Sequence, residues 1–183
     1  MPENLNQNPE QKAHLNFLIA RHFYNQTYGY ADNQDSVLHY LKIATTEARE
    51  NSIDSVLARC YMFRGKTLSR KGLFSQSNEI VEKAKTIYIK LGDSLYVSKM
   101  DYIIAYNFMD LGMYDAGTPY LEKAIIRSGN SNNAHFSASL NLAMGSFLTA
   151  SPIMWPWYPI SVWGLTCCWK DCPRIKKCCW STR

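Results

Sequence analysis

The chain has 183 residues, enough for one domain with a real core, and a formal net charge of +5. Residues 1–150 hold 15 Lys and Arg against 14 Asp and Glu, whereas residues 151–183 hold five basic residues against one Asp. The positive surplus therefore sits in the C-terminal segment, and the body offers no basic face for nucleic acid.

Cysteine and tryptophan divide the chain at the same place. Residues 151–183 contain five of the six cysteines, all five tryptophans and four of the seven prolines. One cysteine in the first 150 residues fits a reducing compartment. The polar start MPENLNQNPEQKAH lacks the charged and apolar regions of a secretory signal. The repeat region has no apolar run long enough to span a bilayer. A cytoplasmic location without membrane attachment is expected.

Residues 1–10 read as a flexible N-terminal tail. Gln11 to Tyr28 reads as a helix with Leu15, Leu18, Ile19 and Phe23 as its apolar stripe. The Asn-, Asp-, Gln- and Gly-rich stretch from Asn25 to Asp35 breaks it. Asp35 is the expected N-cap of the next helix, whose stripe is Val37, Leu38, Leu41, Ile43 and Ala44. After a break at Asn51-Ser52, Asp54 or Ser52 caps a helix that runs to Arg70. Gly72 fits the place just past its end, where a left-handed backbone favours glycine.

Ser75 to Lys90 forms the next helix, with Lys83, Lys85 and Lys90 at the favourable end of its dipole. Leu91 to Ser94 stops and restarts the chain. Leu95 to Leu111 is a helix that Gly112 ends, and Asp115 to Arg127 is its partner, with Pro119 placed in the first turn. Ser128 to Asn133 is a loop. Ala134 to Ala150 begins another helix, and the pattern then stops without the turn and second helix that it requires.

Positions recur every forty residues. Gly65, Ala105 and Gly145 are small; Leu68, Phe108 and Leu148 are large, with Tyr28 in the first copy. Gly72 and Gly112 mark turns, followed by Phe74 and Tyr114. Ser77 and Gly117, Val81 and Leu121, then Ala84 and Ala124 follow, and Leu41 and Ala44 fill the last two places in the first copy. Small residues let two helices cross closely, and large ones fill the groove between pairs.

This pattern resembles the tetratricopeptide repeat (TPR), a helix–turn–helix unit of about 34 residues. The resemblance implies an all-α fold, a right-handed α-solenoid of antiparallel helix pairs, with about seven helices and an irregular C-terminal tail. Repeats cover about 12–51, 52–92 and 93–132, with a half repeat over 133–150, and a period of forty means longer helices or linkers. Stretched repeats of this kind resemble those of bacterial sensor and regulator proteins.

Ligands of this family lie along the concave surface formed by the first helix of each pair, here called the A helix. That implies a peptide-binding set of Gln26, Arg59, Met62, Lys66, Arg70, Lys99, Tyr102 and Tyr106, flanked by His22 and Met109. Basic groups beside aromatic rings suit an acidic protein or peptide partner. The carboxylate clamp that some family members use for chaperone tails is not expected: only Lys99 fits it. Gln26, His22, Phe63 and Ile103 stand at its other places. No cofactor or metal is expected.

Catalysis has little support. His14, His22, His39 and His135 form no metal-binding spacing, and no glycine-rich phosphate loop follows a strand. Cys60, beside Arg59 and near Arg64, is the one conceivable nucleophile, and a packed cysteine is the simpler reading. The expected role is a non-catalytic protein- or peptide-binding scaffold. The alternative is the sensing region of a signalling or transcription regulator whose output domain lies elsewhere.

Three readings compete for residues 151–183. A disulfide or zinc knot would use Cys167, Cys168, Cys172, Cys178 and Cys179, although the segment holds no histidine. A membrane-surface anchor would use the tryptophans with Lys170, Arg174, Lys176, Lys177 and Arg183, although Pro152, Pro156 and Pro159 oppose a helix. The third reading is a shifted reading frame. Read one frame over, the Trp and Cys codons of Val162 to Trp180 permit a glycine followed by a leucine-rich helical stretch. That glycine falls near 164, whereas the period places it near 152.

Overall fold

A computed structural model describes residues 8–26, 33–129 and 133–150. Among them are seven α-helices and no strand: α1 (Pro9–Gln26), α2 (Gln34–Glu50), α3 (Asp54–Arg70), α4 (Phe74–Lys90), α5 (Ser94–Asp110), α6 (Tyr114–Ser128) and α7 (Ala134–Ala150). Each of α2 to α5 is 17 residues long. A three-residue turn separates each from the next, so the unit of helix and turn recurs every twenty residues. The forty-residue period thus comes from long helices joined by short turns. Among the described residues no helix is long and apolar enough to cross a membrane.

The turns share one hydrogen-bond pattern. Ser52, Gly72, Gly92 and Gly112 have φ of 57°, 75°, 72° and 72°. At the second of these, the Gly72 amide donates to the Ser69 carbonyl at 2.9 Å and the Leu73 amide to Leu68 at 3.0 Å. Both bonds repeat at Gly92 and at Gly112. They satisfy carbonyls that a helix end otherwise leaves bare, and they need a left-handed residue between them.

Buried positions follow the same period. Ala20, Cys60, Met100 and Leu140 form one column of the A helices. Leu41, Val81 and Leu121, with Ala44, Ala84 and Ala124, form two columns of the second, or B, helices. The crossings are tight. A Cβ on Gly65 would lie 2.4 Å from Val81 Cγ2, and one on Gly117 would lie 3.1 Å from the Ala105 carbonyl oxygen. Each helix packs on the next, and α1 also touches α3 as α3 touches α5. This packing of consecutive helices is that of a helical repeat.

Polar clasps hold successive helices in register. The Ser98 hydroxyl donates to the Ala124 carbonyl at 2.7 Å, and Ser77 to the Gly65 carbonyl at 2.8 Å. Asn107 Nδ2 donates to Ser77 Oγ at 2.8 Å and to Asn78 Oδ1 at 2.6 Å, tying α5 to α4. Asp101, fully buried on α5, pairs with Lys85 of α4 at 2.8 Å and with Arg127 of α6. A buried carboxylate between two cations from flanking helices opposes sliding of either one.

Several expectations shift. The helix expected from Gln11 begins at Pro9, so the expected N-terminal tail is helical at its end. Its buried stripe is Ala13, Phe17 and Ala20, while Leu15 is 46% exposed. Small residues lie inside because α1 closes against α2, and apolar content alone does not reveal that. Asn33 and Ile53, rather than Asp35 or Asp54, stand at the N-caps of α2 and α3. Asp35 instead binds Lys71 at 2.5 Å. Pro119 is the sixth residue of α6, one turn later than expected. Residues 1–7, Tyr28 and residues 151–183 lie outside the described residues, and the three readings of the last segment with them.

Candidate peptide-binding face

The A helices carry a ribbon of cations laid on aromatic rings. The Arg59 guanidinium lies 5.2 Å from the centre of the Phe17 ring, joining α3 to α1. Phe63 is the hub beside it. Its ring meets Phe17 edge-on at 5.4 Å and Tyr24 edge-on at 5.0 Å, and it lies beneath Lys66 Nζ at 5.5 Å. Arg70 covers the Tyr24 ring at 3.8 Å and donates to its carbonyl at 3.3 Å. On α5, Lys99 Nζ lies 4.4 Å from the Tyr96 ring and 5.9 Å from Phe136 of α7. Tyr102 meets Tyr106 at 4.9 Å and Phe136 at 5.9 Å. Ring faces attract cations and hold their long side chains in place.

Electrostatics on this face are one-sided. Among the described residues, no carboxylate lies within ion-pair distance of Lys66 or Lys99. Burial holds the Lys66 ammonium below its ordinary value, and the charges of Lys99 and Arg70 push it the same way. Lys85, on the B-helix side, shows the opposite outcome. Burial pulls it down, but the hydrogen bond and charge of Asp101, helped by Glu82, leave it above its ordinary value. The difference is the carboxylates: Lys85 has two, Asp101 and Glu82, and among the described residues Lys66 has none.

Of the residues expected on this face, Arg59, Lys66, Arg70, Lys99, Tyr102 and Tyr106 belong to the ribbon. Gln26 lies at the exposed end of α1, with its Nε2 2.9 Å from His22 Nε2. Met62 does not present a binding surface. It is 5% exposed, packed in a cluster with Ala58, Val81, Ala84 and Met100. Its long side chain fills the gap between α4 and α5 instead of facing solvent. Met109 is half-buried against the α5–α7 cluster.

Tyr24, Phe63, Tyr96 and Phe136 were absent from the expected set, although they form the bed under the cations. The period contained a signal for one pair, since Tyr96 and Phe136 are forty residues apart. Burial, and to a smaller degree a hydrogen bond that its protonated form makes with Tyr106, raise the Tyr102 phenol, so it stays a neutral donor.

Other groups fit catalysis poorly. Cys60 is fully buried, and burial pushes its thiol up to about 12, outweighing the opposing effects of Thr45 and Arg59. A nucleophilic cysteine needs the reverse. Among the described residues no group of His, Cys, Asp and Glu is placed to hold a metal ion. A hollow of about 420 Å³ on α2, lined by His39, Lys42, Ile43, Thr46 and Glu47, shares no residue with the cationic ribbon. No family model matches the chain, and no curated protein matches it.

Proposed function

We propose that the chain is a non-catalytic scaffold of TPR-like helix pairs that binds an acidic peptide or protein segment along its A-helix face. In this reading the pairs wind as a right-handed solenoid, and the ribbon of Arg59, Lys66, Arg70 and Lys99 lines its inner side. The observation that carries the proposal is the contrast in charge pairing. Asp101 and Glu47 are paired with cations of neighbouring helices, whereas among the described residues Lys66 and Lys99 lie over rings with no carboxylate within ion-pair distance. Two half-buried ammonium groups held together without a counter-charge cost stability, and a carboxylate ligand offsets that cost. The aromatic bed suits a chain that also carries an apolar or aromatic residue, because flat rings give contact area at little entropic cost.

The test is fluorescence anisotropy of a labelled glutamate-rich peptide. Charge reversal in K66E/K99E is expected to weaken binding at least about tenfold, which is about 1.4 kcal/mol, with unchanged helicity by circular dichroism. Equal affinity of the two proteins would refute this face.

A further inference from the structure

Among the described residues, α7 has an open side that its counterparts α3 and α5 do not. In α3, Ala58 and Gly65 are buried against α4, and in α5 Ser98, Asp101 and Ala105 are buried against α6. Forty residues on, Ala138, Asn141 and Gly145 of α7 are all exposed, and Leu142 between them is 75% exposed. Among the described residues nothing lies within 4 Å of where a Cβ on Gly145 would sit. α7 packs on α6 by its other side, through Leu140, Ala143 and Phe147. Among the described residues, the crossing surface of an A helix is thus present without a helix that crosses it.

The sequence after residue 150 does not carry the B-helix pattern in register. Where Ser77 and Gly117 let two backbones approach, the period puts Trp157. Where Val81 and Leu121 stand, it puts Ser161. An indole at the close-approach point would hold the helices apart.

The open stripe of α7 itself does fit. A B helix presents a small residue, a large one four places on and a small one three further: Ser77, Val81, Ala84 in α4 and Gly117, Leu121, Ala124 in α6. α7 carries Ala138, Leu142 and Gly145 at the same spacing and on one face. The register of the internal pairs is antiparallel. Gly65 meets Ser77 and Val81, Gly117 meets Ala105, and Ser98 bonds Ala124. Transferred to two copies of α7, that register sets Ala138 against the partner's Gly145 and Asn141 against the partner's Leu142, and it repeats itself under a two-fold rotation.

We propose that two copies of this chain associate through α7, each supplying a B-like helix to the open stripe of the other. A charge beside the two-fold axis would meet its own copy across it. α7 is the one helix of the seven described that contains no Asp, Glu, Lys or Arg. The two Asn141 amides lie near the axis, and each brings both donors and an acceptor. The contact is one pair of helices about 25 Å long, so the dimer is a weak one, with dissociation in the micromolar range.

Sedimentation equilibrium of the full chain under reducing conditions, from low to high micromolar, tests this. Reduction removes intermolecular disulfides of the C-terminal cysteines as a cause of association. The mass is expected to rise from the 21.0 kDa monomer toward twice that value. Leu142→Glu should raise the dissociation constant at least about tenfold. Ile126→Glu, at a site on α6 that is 74% exposed and outside the stripe, should leave it unchanged. Circular dichroism of L142E should show unaltered helix content, since Leu142 makes little contact in the monomer. A chain that stays monomeric at the highest concentration overturns the proposal. So does an L142E variant that associates as strongly as the unaltered chain, because association then runs through another surface.

Discussion

Substituting Gly65 tests the crossing of α3 and α4, on which every pair of the repeat depends. In a helix interior, Gly→Ala normally gains about 1 kcal/mol, because alanine loses less backbone freedom on folding. Here the added methyl would sit 2.4 Å from Val81 Cγ2 and 3.5 Å from the Ser77 carbonyl oxygen. Carbon atoms rest at about 3.5–4.0 Å, so one side must yield by more than an ångström. Val81 is fully buried and β-branched, with a stiff side chain. Overpacking of this kind costs about 1–3 kcal/mol. Set against the propensity gain, G65A should destabilise the chain by about 1 kcal/mol. In a V81A background the obstructing methyl groups are gone, and the same substitution should stabilise by about 1 kcal/mol. The two effects differ by about 2 kcal/mol, well above the ~0.3–0.5 kcal/mol scatter of additive pairs. Urea unfolding followed by circular dichroism measures all four proteins. If G65A stabilises equally in both backgrounds, the close crossing is wrong.

Three further outcomes follow from buried groups. Asp101→Asn takes the buried carboxylate away from Arg127 and from Lys85, which keeps only Glu82. Breaking a buried pair costs about 3–5 kcal/mol, and the 38% exposure of the Arg127 side chain reduces this to about 2 kcal/mol. A loss of about 4–8 °C in Tm is expected at this chain length, and a Tm within a degree of the unaltered chain would show that the triad contributes nothing. Stability should also fall as pH rises beyond about 8.5. Cys60, Tyr88, Tyr102 and Lys85 all hold their protons more tightly when folded than their ordinary values. The unfolded chain therefore releases these protons first, and the stabilisation is lost as pH climbs through each folded value. Urea midpoints that stay flat from neutral pH to about pH 10.5 would contradict these shifts. In native protein near pH 8, iodoacetamide followed by peptide mapping should leave Cys60 unmodified, and rapid modification would show that its burial is transient.

The repeat was legible because its signals are local and periodic. Gly72, Gly92 and Gly112 mark turns from their identity alone, since a left-handed position favours glycine. The crossing columns at 65, 77, 81 and 84 were visible because small and large residues recur in step. What the period does not reveal is which side of a column meets solvent. Met62 and Leu142 are equivalent in sequence, yet one is buried and the other exposed, because among the described residues α4 and α5 cover Met62 and no helix follows α7. The Asp101 triad was invisible for a different reason. Its cations stand 16 and 26 residues away on other helices, and neither neighbouring repeat has a carboxylate in that column: Tyr61 and Asn141 occupy it. The aromatic bed of the binding face was partly hidden as well, since Phe63 and Tyr24 read as ordinary core residues until their cations are in view.

The A-helix face is tested most directly at Lys66 itself. Nuclear magnetic resonance of the lysine side chains, assigned through Lys66→Arg, follows the titration of that one ammonium with and without a saturating glutamate-rich peptide. In the free protein Lys66 should titrate below its ordinary value, as its burial and the neighbouring charges of Lys99 and Arg70 require. Bound carboxylates favour the charged form, so the peptide should move the titration upward, and affinity should fall as pH rises through that range. A Lys66 titration that the bound peptide leaves in place would show that the ligand sits elsewhere and would contradict the account.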